Sequence, residues 1–193
     1  MGYEDGKAGQ TGRTAQKEAK RFLVSHGFSA ARPSGNDIGV HLLVSPKGNA
    51  AISTKVKVNG RGQIENPRWF QLSITPSKIE AAWSSGQPLD DLWRNKITMV
   101  DFWVMVSIPL VEVWVMPSDK VMEIAELNSV KYGSRLDNQY SEPHYTKHGD
   151  IAKKQKELNL DLEVDGIPIW ENYSIYRNNA NPLMEYFASL ERL

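Results

Sequence analysis

The chain has 193 residues, 40% of them hydrophobic and 24% charged, with 23 Lys+Arg against 23 Asp+Glu. This is enough apolar material for a real core in one folded domain, and a net charge of zero argues against bulk electrostatic capture of nucleic acid. There is no cysteine, which excludes disulfides, thiolate nucleophiles and cysteine zinc sites.

No apolar run approaches the ~20 residues of a membrane span, and residues 1–13 are polar and glycine-rich rather than signal-like. A cytoplasmic protein without membrane partners is expected. Charge is nevertheless uneven. Residues 1–68 carry 11 Lys+Arg against 5 Asp+Glu, leaving 12 against 18 for the remainder. A basic half can attract phosphates locally, or it can simply be neutralised within the fold.

In chain order, residues 1–13 read as a flexible N-terminus. Ala15, Ala19, Phe22, Leu23 and His26 then repeat at helical spacing from Thr14 to His26, with Thr14 as cap and Gly27 as left-handed stop. Glu18 lies at the edge of that stripe, either as a surface acid near the positive end of the helix dipole or as an acid aimed into a cleft. Phe28 to Arg32 reads as a strand.

A hairpin follows from Ile38 to Val58, turning at Ser45-Pro-Lys-Gly. In its second arm Ile52, Thr54, Val56 and Val58 share one face, and Ser53, Lys55 and Lys57 the other. That row of polar and basic groups is a candidate site, with a solvated strand face as the plain alternative. Arg61 sits in a flexible turn, and Arg68 precedes the strand Trp69 to Ile74. A short helix runs to Trp83, and one or two helical turns span Leu89 to Asn95.

Ile97 to Ile108 is almost continuously apolar, as expected of a strand buried on both faces. Val111 to Met116 is its hairpin partner. Ser118 caps a helix with Val121, Ile124, Ala125 and Leu127 on its core side. Residues 131–172 give only weak periodicity and read as an irregular excursion, longer than ordinary loops. It is therefore functional, partly disordered or a dimer contact. A last helix starts at Asn181-Pro182 and buries Leu183, Phe187 and Leu190.

The run Gly35-Asn-Asp37-Ile-Gly-Val-His41-Leu-Leu-Val, followed by Ile52-Ser53-Thr-Lys55, resembles the PD-(D/E)XK nucleases, the restriction-endonuclease-like family. The resemblance covers roughly residues 13–128. It implies an α/β fold with a restriction-endonuclease-like three-layer core, a mixed central sheet flanked by helices over 14–130. Residues 131–193 would add an irregular C-terminal extension and a helix packed on that core.

By the same resemblance, Mg²⁺ held by carboxylates and assisted by Lys55 would cleave DNA. The pattern is broken, however. Aligned on Lys55, its acidic position falls on Ser53 and its Asp position on His41, whose imidazole suits Zn²⁺ or Ni²⁺ better than Mg²⁺.

Asp37 is an alternative ligand, but it lies about 13 Å from His41 in an extended strand at roughly 3.3 Å per residue. Glu18 would have to supply the missing carboxylate. The expectation is a nuclease-like, nucleic-acid-associated protein with an eroded metal site. Lys55, Ser53 and His41 stand at the catalytic positions, and Lys57, Arg61 and Arg68 toward nucleic acid. Asp37 and Glu18 are the metal candidates, with Mg²⁺ required only if the site is active. The other readings are an active Mg²⁺-dependent endonuclease and a non-enzymatic interaction module. A homodimer is compatible with each.

Elsewhere, His144 and His148 share metal-ligand spacing, but Pro143 and Gly149 favour a loop. No dinucleotide fingerprint, P-loop or nucleophile elbow occurs.

Overall fold

The computed structural model describes residues 4–33, 41–46, 52–58, 67–74, 76–128, 156–164 and 167–191. In chain order these form α1 (Glu4–Ser25), β1 (Phe28–Ala31), β2 (Leu42–Pro46), β3 (Ile52–Val58), β4 (Trp69–Ile74), α2 (Pro76–Ser85), α3 (Leu89–Thr98), β5 (Phe102–Ser107) and β6 (Glu112–Pro117). Helix α4 covers 118–128. Then come β7 (Lys156–Asp161), β8 (Glu163–Val164), β9 (Ile167–Pro168), a 3₁₀ segment (Ile169–Tyr176) and α5 (Asn181–Leu190).

The main sheet has the order β1-β2-β3-β5-β6 and is mixed. β1, β2 and β3 form an antiparallel meander, β3 pairs with β5 in parallel, and β6 returns antiparallel to β5. The chain reaches β5 from β3 through β4, α2 and α3, as parallel neighbours require a long crossover. A second, two-stranded sheet pairs β4 with β7.

All six residues of β5 are buried, and alternate ones enter different clusters. Phe102, Val104 and Val106 join Ala15, Ala19 and Leu23 of α1, Leu42 and Val44 of β2, and Leu183 and Phe187 of α5. Trp103 and Met105 join Phe70 and Leu72 of β4, Leu160 of β7, Trp93 and Ile97 of α3, and Val121 and Ile124 of α4. The expected mixed sheet with helices is therefore present.

Several boundaries differ from the sequence reading. Helix α1 begins at Glu4, so Thr14 lies inside it rather than at its cap. Gly6, Gly9 and Gly12 weaken the local helical signal, while Glu4 and Asp5 suit the positive end of the dipole. Gly27 does stop the helix, at φ 89°. Pro46 ends β2 rather than turning the hairpin, and the rest of the expected turn lies outside the described residues.

Ile97 and Thr98 belong to α3, not to the strand. Trp93 and Ile97 are buried four residues apart, the helical spacing that the apolar run concealed. Leu127 and Leu190 are exposed, and Asn128 is buried instead, its side-chain amide donating to the Ile124 carbonyl at 2.8 Å. The Ser118 hydroxyl donates to the Val100 carbonyl instead of capping α4. Residues 156–176, read as irregular, hold β7, β8, β9 and the 3₁₀ segment.

One ion-pair network ties the second sheet to the first. Arg68 gives Nε and Nη2 to the two carboxylate oxygens of Glu112 at 2.9 and 2.8 Å. Arg177 Nη1 approaches the same carboxylate at 3.4 Å, and the Trp114 indole N–H donates to it at 3.3 Å. Both guanidiniums lie over the Trp170 ring, at 4.4 and 5.2 Å from its centroid. Glu112 is only 8% exposed, so removing it strands two cations in a low-dielectric setting. Glu112→Ala is expected to cost about 3–5 kcal/mol in chemical denaturation. Glu123→Ala, which breaks the more exposed Lys120 pair, is expected to cost under about 1 kcal/mol.

Candidate functional site

Strand β3 is the third of five strands, hydrogen-bonded on both sides. Its register decides which face each position occupies. Ile52 pairs with Val44, Thr54 with Leu42 and Phe102, Val56 with Val104, and Val58 with Val106. Those partners all belong to the cluster beneath α1 and α5. Ser53 pairs with Leu43, Lys55 with Trp103, and Lys57 with Met105. Trp103 and Met105 are fully buried in the opposite cluster. Two lysine positions thus stand mid-sheet, on the face over which α3, α4 and the second sheet assemble.

His41 directly precedes the Leu42–Thr54 pair and Lys55 directly follows it, so the backbone brings these two to one end of the hairpin. Helix α3 closes in beside them. The Trp103 indole N–H, in register with Lys55, donates to the Ile97 carbonyl at 3.0 Å. Next to Ile97, the half-buried Lys96 has its pKa lowered, first by burial and then by the Lys78 ammonium.

Glu18 is not brought to this place. Helix α1 packs on the other face of the sheet, and the Glu18 carboxylate meets Arg21 one turn on at 3.3 Å. Both line a cavity of about 560 Å³ between α1 and the β5–β6 hairpin, with Phe22, Val106, Val111 and Asn178. Arg68 is engaged with Glu112 and Trp170, as described above. His26 closes α1, its Nδ1 2.8 Å from the Phe22 carbonyl. Asp37, Arg61, His144 and His148 lie outside the described residues.

An imidazole, a hydroxyl and two ammonium groups do not fit Mg²⁺, which wants carboxylate, carbonyl and water oxygens. The described parts of β2 and β3 contain no Asp or Glu. Among the described residues, no group of three or more His, Asp or Glu could hold a metal. What the arrangement offers is positive charge for a phosphate, with a hydroxyl position and an imidazole beside it. Lys96 and the α3 contact were missed in the sequence, because that stretch read as strand from Ile97 onward.

No protein-family model matches the chain, and no curated protein matches it. Among solved structures it is similar to a bacterial homing endonuclease, I-Ssp6803I, at 17% identity and a TM-score of 0.37. The likeness covers 56% of this chain and 64% of that protein's, short of two thirds of its length. A likeness of that size decides nothing about chemistry. Among the described residues, no helix is long and apolar enough to cross a membrane.

The lowered pKa of Lys96 has a stability consequence. Folding disfavours its ammonium form, so the cost is full below the lowered folded value and vanishes above the ordinary lysine value. Wild-type stability should therefore gain on Lys96→Met as pH rises through that window. Thermal melts are expected to show Lys96→Met the more stable at neutral pH, with the gap closing in strongly alkaline buffer.

Proposed function

We propose that this chain is a restriction-endonuclease-like protein, with a three-layer core, that contacts the phosphate backbone of DNA through the β3 face and has lost the magnesium site of its catalytic relatives. The observation that carries the reading is the placement of Lys55 and Lys57 at register positions in the middle of a sheet. A lysine buried without a partner is costly, so a central strand holding two of them needs an opening or an anion on that side. Phosphate meets that need, and Lys96 adds a further cation on the neighbouring helix.

In this reading His41 and Ser53 stand where the family's pattern has acids. They can donate hydrogen bonds to a phosphodiester but cannot gather a hard divalent ion. The ammonium groups would also repel such an ion. Binding without cleavage follows, in a cytoplasmic setting where duplex DNA is the partner. Ordinary phosphodiester hydrolysis by this family's route would need carboxylates that the described hairpin does not supply.

The test is a duplex-DNA titration at several salt concentrations, beside a plasmid incubation with Mg²⁺. Binding is expected, with affinity falling as salt rises and the logarithmic slope reduced by roughly 0.9 in Lys55→Ala. Plasmid is expected to stay supercoiled. Nicking that disappears in Lys55→Ala would establish an active endonuclease instead, and absence of any DNA binding would remove the reading altogether.

A further inference from the structure

We propose that the tip of the β5–β6 hairpin and the cavity beside it form a self-complementary surface on which a second copy of this chain docks. This does not depend on the nucleic-acid reading. The tip reads Ile108-Pro109-Leu110-Val111, and its three aliphatic residues are exposed to 39%, 38% and 79%. The cavity opens directly next to it, walled by Phe22 of α1 and by Val106 and Val113 of the hairpin. Its volume of about 560 Å³ accommodates several aliphatic side chains.

Val111 carries the argument further. Its φ of 54° places a β-branched residue in the left-handed region, where such side chains are strained and glycine or asparagine is expected. The turn itself contributes one hydrogen bond there, from the Val111 N–H to the Ile108 carbonyl at 3.3 Å. A residue that is both strained and exposed gives an isolated monomer nothing. Covered by a partner, it becomes an apolar anchor held out by its backbone.

The occupant follows from what lies side by side. A protrusion and a hollow of the same apolar character sit on one patch, which is what a two-fold contact needs, since each copy must present both halves. Charge agrees. Glu18 and Arg21 stand together on the cavity rim, with side chains 35% and 75% exposed. Across a two-fold axis, the acid of one copy can meet the base of the other. A wedge for DNA base steps would use the protrusion but not the hollow.

Sedimentation velocity of the full chain over a range of concentrations tests this. A reversible dimer is expected, and Val111→Asp should raise its Kd at least about tenfold. Val111→Gly relieves the strained backbone, so it should melt no lower than wild type while still dimerising more weakly. Mixing Glu18→Arg chains with Arg21→Glu chains should give mixed dimers in preference to either parent dimer. A chain that sediments as a monomer throughout, or a dimer indifferent to Val111→Asp, overturns the proposal. So does a monomer whose DNA affinity falls in Val111→Asp, which would make the tip a base-step wedge.

Discussion

Covering β5 on both of its faces constrains nearly everything else in this fold. A strand whose consecutive residues are all apolar cannot leave either side to water, because each exposed aliphatic or aromatic side chain forfeits burial worth roughly 1.5–3 kcal/mol. One side is met by α1 and α5, the first and last helices of the chain. The other is met by α3, α4 and a separate two-stranded sheet. Trp103 and Trp114, both fully buried, set the thickness of that second layer. The Arg68–Glu112–Arg177 network then fixes its edge, with Trp170 lying beneath both guanidiniums.

Against this frame β3 is anomalous. It lies next to the most apolar strand, yet alternates between residues in register with one cluster and lysines in register with the other. A strand chosen for packing alone would carry aliphatic residues at 55 and 57. Polar groups at such places are retained where something other than stability is selected. This makes the β3 face, rather than the charged exterior of α1, the place where the chain's chemistry concentrates.

Much of the architecture is legible in the sequence, and the failures have physical causes. The β5–β6 hairpin, the arms of β2 and β3, and the Gly27 stop are each signalled by residues within a few positions. Their determinants are local. Boundaries fail where one pattern imitates another: Ile97 continues an apolar run in the sequence but closes a helical stripe with Trp93 in space. β7 is missed for a different reason. Lys156-Glu-Leu-Asn-Leu-Asp alternates over only two leucines, and the burial of Leu160 comes from β4, some ninety residues earlier. The site is half legible. Face alternation in β3 can be read directly, whereas the closure of α3 over Lys55's register partner depends on tertiary contacts. Glu18 shows the opposite error, since helical periodicity gives no information about which side of a sheet the helix will cover.

The pairing of β4 with β7 also bears on how the chain is made. Residues 69–74 emerge from the ribosome long before residues 156–161, and until then Phe70, Leu72 and Ile74 have no hydrogen-bonded neighbour to shield their strand. Contacts so distant in sequence close late and slowly. During synthesis this unpaired ribbon is an open edge of the kind that recruits other chains, so the nascent protein passes through a period of chaperone dependence that the finished fold conceals.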